Sequence, residues 1–491
     1  MSHFVRYGLA AVLLSISAIN AENISSRSSL TAQPFSLVPT DMTHSLVMDQ
    51  YCEDGSVLNR PEFVWSVFGG ASTNPDAIAR YFLFNNKTVL LENEVQSNDV
   101  GMQQDIIGWN FNISTLDANQ SSLIALNPKQ TYYGVGLAMR YSLSERCWMT
   151  TQVPFLSVTN DLGLTERINT QPGALAGGLG FDGKYSQVGS MIEAFRHPDM
   201  LYGKIDGPRT KRGFGDTTIT LGYDLEDRSE RYFAPFIGAT IPTSNKPTAE
   251  YMWEPVLGNN KHAGAFVGAY GHSQVYEKNS SIVWFTWSIK TEYLFANTQK
   301  RSFDLHRGPW TRYLAMYKNN EDRTSSVATI VCQGKKTYGI NLMTQDVDVS
   351  PGFSNSSTLS LSFTKDSLQG TLGTSSFIRE SEDVVLTRPW QQGPAVADLV
   401  TNNSSNTVRN ISTMIFNDGD VAQQLYITEA DINFGSGASS TVLVGSLFAT
   451  LGYSVATEHP QIYEIGASYD ASKQNNAVNR FALWGRFQIT F

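Results

Sequence analysis

Long apolar runs are missing from this 491-residue sequence. Past residue 21 no window holds the roughly 18 uninterrupted apolar side chains that a helix needs to cross about 30 Å of bilayer hydrocarbon, which excludes a helical membrane protein. Charge is scarce as well. Asp, Glu, Lys and Arg make up 16% of the chain, against about 25% in ordinary soluble domains. The net charge of −9 gives no cationic surface for nucleic acid. Cysteine is down to three residues, Cys52, Cys147 and Cys332. These cannot all pair within one chain; one disulfide is open to them, and Cys147 reads as a free, membrane-embedded thiol. Because Glu22, not cysteine, stands directly after Ala21, a lipoprotein anchor is not expected.

What is present points to export and to strands. Met1–Ala21 has a basic Arg6, an apolar run from Tyr7 to Ile19 and a small residue at Ala21. That is the pattern of a secretory signal peptide cleaved before Glu22. Aromatics reach 11%, and Gly, Ser, Thr and Asn are abundant. A transmembrane β-barrel has this profile, since an apolar band faces lipid while a polar lining faces water.

Strict alternation supports the barrel, because successive side chains of a strand face opposite sides. Val283, Phe285, Trp287, Ile289, Tyr293 and Phe295 share one face of a segment, with Thr286, Ser288, Lys290 and Glu292 on the other. Tyr133, Val135, Leu137, Met139 and Tyr141 alternate with Gly134, Gly136, Ala138, Arg140 and Ser142. Ile219, Leu221, Tyr223 and Leu225 oppose Asp216, Thr218, Thr220 and Asp224, and Leu359, Leu361 and Phe363 oppose Ser360, Ser362 and Thr364. The chain ends on such a strand. Phe481, Leu483, Phe487, Ile489 and Phe491 lie on its outer face, Trp484, Arg486 and Gln488 on its inner. A terminal Phe preceded by apolar alternation is the form of an assembly signal for the outer-membrane barrel machinery.

Loop lengths orient the barrel, whose short turns are periplasmic and whose long loops are extracellular. Strands are expected near 130–142, 146–157, 215–225, 231–242, 263–276, 281–297, 357–365, 368–380, 441–453, 460–470 and 477–491. The tight turns 143–145, 226–230, 277–280, 366–367 and 454–459 then all fall at one end, and 158–214, 243–262, 298–356 and 381–440 at the other. A further strand near 105–116 makes an up-and-down antiparallel all-β barrel of twelve. Counting 311–319, 336–346 and 423–434 as strand candidates gives the alternative of fourteen. The expected division is a signal peptide at 1–21, an unassigned N-terminal segment at 22–104 (periplasmic, plug or disordered) and the barrel at 105–491.

Motifs for chemistry are sparse. Gly178, Gly180 and Gly183 sit in a Gly-rich loop without the βαβ unit of a dinucleotide site. Ser190–Phe195 suggests a short helix before His197-Pro198, either folded inward to narrow the pore or placed as a surface turn. The acidic pairs Asp346/Asp348 and Asp418/Asp420 read as solvated loop charge rather than a calcium site. The seven histidines show no metal-ligand spacing, and no G-x-S-x-G elbow or placed catalytic cluster is present. No metal, cofactor or enzymatic activity is expected.

The stretch Gly213-Phe-Gly-Asp-Thr-Thr-Ile-Thr-Leu-Gly-Tyr223, with Ala234–Thr243 and the Gly-rich strand Gly264–Gly271, resembles the outer-membrane transporter family associated with phenol-degradation pathways. The resemblance covers residues 213–276, implies a barrel of about a dozen strands and small-molecule uptake, and carries over no binding residue. From the alternation itself, Arg140, Asp216, Asp224, Lys290, Glu292, Glu464 and Arg486 are expected to line the pore. A lining of both charge signs would pass small polar solutes. The expected function is a channel for passive passage of an unspecified small solute. The alternative is a barrel that anchors large surface loops for adhesion or structural cover. Its expected partners are outer-membrane lipid, lipopolysaccharide and, during biogenesis, the assembly machinery; a homo-oligomer is compatible with such a barrel.

Overall fold

In the computed structural model the described residues are 24, 26–30, 33, 61–92, 106–113, 121–169, 188–228, 230–306, 308–318, 336–391, 394–396, 407–410, 414–417 and 427–491. The expected signal peptide, Cys52, Cys332, the three loop glycines and Asp418/Asp420 lie outside them.

Twelve antiparallel strands form one closed wall. They are β1 (Glu62–Ser72), β2 (Lys129–Ser142), β3 (Cys147–Asp161), β4 (Thr217–Tyr223), β5 (Arg231–Ile241), β6 (Gly264–Lys278), β7 (Ser281–Leu294), β8 (Gly352–Lys365), β9 (Leu368–Arg379), β10 (Val442–Val455), β11 (Gln461–Ala471) and β12 (Arg480–Thr490). Each pairs with its sequence neighbours, and β12 closes on β1 with Trp65 opposite Phe487. Closure satisfies the backbone groups on both edges of each strand, which lipid requires.

The expected count holds, but one strand is relocated. Residues 106–107 form a two-residue strand of a small outer sheet and Gly108–Phe111 a 3-10 turn. The twelfth wall strand is β1, inside the segment expected to be unassigned. Its inward face, Val64, Ser66 and Phe68, is buried, while Val67 is 63% exposed; with apolar residues on both faces, alternation did not single it out. The fourteen-strand alternative is overturned too. Thr311–Tyr313 is a 3-10 turn, Lys336–Tyr338 and Thr344–Ser350 belong to small sheets outside the wall, and Ile432–Asn433 pairs with Asp304–Leu305.

The hairpins are tight where the turn chemistry allows it. Asn279 and Ser280, between β6 and β7, both take positive φ (46° and 58°), a two-residue turn whose twist matches the flanking strands. Asp366 at φ 54° starts the equally short link from β8 to β9. All such turns lie at the end where Phe491 N donates to Pro61 O, the periplasmic end of a barrel of this kind.

At the opposite end the long connections fold into a cap. One buried core joins Ile78, Phe82, Phe111, Phe195, Trp310 and Tyr313 from three different loops. A second gathers Phe303, Met316, Val347, Val384 and Ile432. The helix Met191–Arg196, capped by Ser190 accepting from Glu193 N, buries Met191, Ala194 and Phe195. It therefore sits in the cap core rather than as a turn on the surface. Buried ion pairs lock the cap: Arg312–Asp304 at 3.0 Å and Arg301–Glu382 at 3.3 Å, all four side chains at most 4% exposed. The described N-terminal residues join this end: Ser26 N donates to Tyr81 O, Ser28 N to Ser436 O, and Gln33 exchanges hydrogen bonds with Val478.

Candidate functional site: a chamber in the lumen

A barrel of twelve strands is wide enough to hold side chains and a small cavity, and here both are present. Outward positions such as Tyr133, Ile237, Leu372, Leu447 and Ile465 are exposed, while the alternate positions are buried inside. The inward side chains form two levels of charge separated by aromatic rings.

At the short-turn end the charges are paired. Asp224 accepts from Trp148 Nε1 at 2.8 Å and Tyr232 Oη at 2.6 Å, with Arg140 Nη2 at 4.0 Å. Arg140 also lies over the Trp148 ring. On β11 and β12, one strand removed from β2, Arg486 Nη2 donates to Glu464 Oε2 at 2.7 Å. Four of the seven expected lining residues thus make two ion pairs beside the short turns.

Asp216, Lys290 and Glu292 come together in the loop-side half, around a cavity of about 170 Å³. Asp216 is aimed inward by a local break in the wall. Pro154 on β3 has no N–H to give, and the opposite chain bends there, with Gly215 N reaching Pro154 O between the pairs Leu156–Gly213 and Gln152–Thr218. This is how a wall strand takes a proline: at a bulge. The Asp216 carboxylate then accepts Ser244 N at 3.2 Å and Asn259 N at 2.6 Å, which ties the cap loop to the wall. Glu292 accepts from Thr240 Oγ1, and Lys290 Nζ stands 3.9 Å from Glu292 Oε2.

Several lining groups escaped the sequence reading. Arg379, at the end of β9, donates to Asn259 Oδ1 at 2.9 Å in the field of Glu292, Glu382 and Asp216. Parity would have found it, since Leu372 on the same strand points outward at 68% exposure. The aromatic lining was harder. Phe236 and Tyr270 stack at 4.5 Å, and Phe266 meets Phe236 edge-on at 6.2 Å. On β5 the outward positions Phe233, Ile237 and Ile241 are apolar and so are the inward Ala234 and Phe236, so most of the segment lacks alternation. The ring of Phe236 lies across Gly268, where an added Cβ would come within 2.3 Å of it. The strand pairing, not the local sequence, puts this ring over this glycine.

Above the chamber His262 is 1% exposed, with Nδ1 2.8 Å from Phe295 O and Nε2 2.8 Å from Gln299 Nε2. Burial pushes its pKa down to about 4, so it is neutral at physiological pH. Glu382 moves the other way from its desolvation: burial opposes its charge, but Arg301, the Ser439 N–H and Arg379 outweigh that and hold its pKa below the usual range. Asp346 and Asp348 are engaged by Lys300 and Thr298. Cys147 is a free, half-buried thiol at the start of β3.

No protein-family model and no curated protein matches the chain. Among solved structures, an outer membrane channel from Pseudomonas putida F1 is similar at 12% identity and TM-score 0.37, over 89% of this chain and 98% of that one. The toluene transporter TbuX of Ralstonia pickettii is similar at 7% identity and TM-score 0.27, over 96% and 98%. A monoaromatic hydrocarbon channel, TodX, follows at 8% and 0.31, over 96% and 99%. Overlaps this loose add nothing to the wall, which its own strand pairing defines. With its closure, its apolar outer face and its short turns all at one end, the chain folds as a closed antiparallel β-barrel of twelve strands, the build of a strand-spanning membrane barrel.

Proposed function

We propose that the protein is a channel for passive passage of a small solute across the outer membrane, with the loop-side chamber as its holding site. One observation carries this. The barrel encloses a cavity of about 170 Å³ lined by hydroxyl, charged and aromatic side chains together, a polar interior of the kind a water-filled lumen has and a packed core does not. The inward charges at the other end would act on whatever leaves the chamber, through the Arg140–Asp224 and Glu464–Arg486 pairs. Planar-bilayer recording and liposome swelling, with no energy source supplied, test the proposal. Discrete conductance and solute-dependent swelling are expected. A folded, heat-modifiable protein that shows neither would overturn it.

The folded cap gives a specific reason to keep the second reading, a barrel that displays surface loops. Two hydrophobic cores and two buried ion pairs make the cap a defined surface rather than loose loops. Replacing loop 380–441 by a short turn separates the two. Changed solute passage with unchanged cell attachment supports the channel; the reverse supports display.

A further inference from the structure

The chamber has two unlike walls. On β5 and β6 it presents the rings of Phe236, Phe266 and Tyr270. On β8 and β9 it presents hydroxyls, among them Ser354, Ser356, Thr358 and Ser375. Lys290 on β7 stands at the seam, its register partners being Gly268 on the aromatic side and Ser356 on the hydroxyl side. On the first flank the Phe236 ring lies over Gly268, and on the second the neighbour is a small serine.

The charges around it are unequal in what they have left to offer. Asp216 is occupied by two backbone N–H groups and Glu292 by the Thr240 hydroxyl. Arg379 is 3% exposed and bonded to Asn259. Lys290 is 32% exposed, forms a long ion pair with Glu292 at 3.9 Å, beyond hydrogen-bond distance, and has its ammonium 5.2 Å from the Phe266 ring centre. An ammonium has three donors to place. Beyond its long pair with Glu292, Lys290 therefore has N–H donors to offer the cavity, beside flat apolar surface on one side and hydroxyls on the other.

Resting on the channel reading above, we propose that the chamber binds a small monocarboxylate with a flat apolar body. Its carboxylate meets Lys290 and the neighbouring serine hydroxyls, and its body packs against Phe236, Phe266 and Tyr270. The size is suitable, since a cavity of about 150 Å³ accepts benzene.

Isothermal titration calorimetry of the full chain in detergent tests this without depending on conduction, with sodium benzoate as probe and benzyl alcohol and benzylamine as neutral and cationic counterparts. Benzoate should bind best of the three. Lys290→Gln should weaken benzoate by about tenfold or more, the range for a charge-assisted hydrogen bond, and leave benzyl alcohol unchanged. Phe236→Leu should weaken benzoate and benzyl alcohol alike. Heat-modifiable mobility shows that each variant is folded. Benzylamine binding as well as benzoate, or benzoate affinity indifferent to Lys290→Gln in a folded protein, would overturn the proposal. Benzoate binding in a protein that passes no current would remove the channel reading and leave the site standing. Conductance without benzoate binding would do the opposite.

Discussion

Phe487 and Gln488 are adjacent residues in different solvents. Phe487 points outward, stacked on Trp65 at 5.6 Å and tilted against Tyr463 at 5.1 Å; Gln488 points inward and is 3% exposed. A carboxylate at 487 loses both ring contacts, about 0.5–1.5 kcal/mol each, and faces lipid near the rim, where a charge costs up to about 1 kcal/mol. Phe487→Asp should therefore reduce the heat-modifiable fraction in outer membranes more than Gln488→Asp. The reverse order would mean that lipid lies on the other face. His262 supports a second expectation. Its folded pKa of about 4 lies below the ordinary value near 6.5, so the proton binds the opened cap in preference. Cap stability is complete above about pH 6.5 and falls as pH drops from there towards 4. Protease sensitivity of the cap should rise across that window, and His262→Gln should flatten the rise. The lowered pKa of Glu382 adds a separate loss at still lower pH, as its carboxylate protonates and leaves Arg301 unpaired.

At the scale of elements, the wall and the cap should fail separately. The wall is held by backbone ladders between adjacent strands, the cap by buried side chains from distant loops. Removing one member of a buried pair leaves the other charged and desolvated, a loss of about 3–5 kcal/mol. Arg312→Met strands Asp304, which Ser26 and the Arg312 amide also contact. The expected result is a cap cut by protease while the barrel keeps its heat-modifiable mobility. If both are lost together, cap and wall form one cooperative unit. The same division governs legibility. β7 could be read from the sequence because its two faces differ in polarity, and so could the hairpin at Asn279-Ser280. β1 could not, because a strand with buried Val64 and Phe68 inside and Trp65 and Val67 outside has no polarity period to detect.

For the whole molecule, a cap with two cores over a chamber should limit flow. Replacing loop 380–441 removes Glu382, the partner of Arg301, and Ser436, which bonds to Asp304 N. The variant should conduct severalfold more current than the parent, and equal currents would show that the cap does not restrict the lumen. Eleven of the twelve wall strands, all but β1, and the end at which the short turns lie were determined by the sequence alone, because alternation and turn chemistry act over a few neighbouring residues. What fills the lumen was decided only by closure. Phe236 meets Tyr270, Asp216 reaches the amide of Asn259, and Ser26 enters the cap beside Asp304 because strand register and loop packing bring together residues far apart in the chain, and no local pattern records those distances.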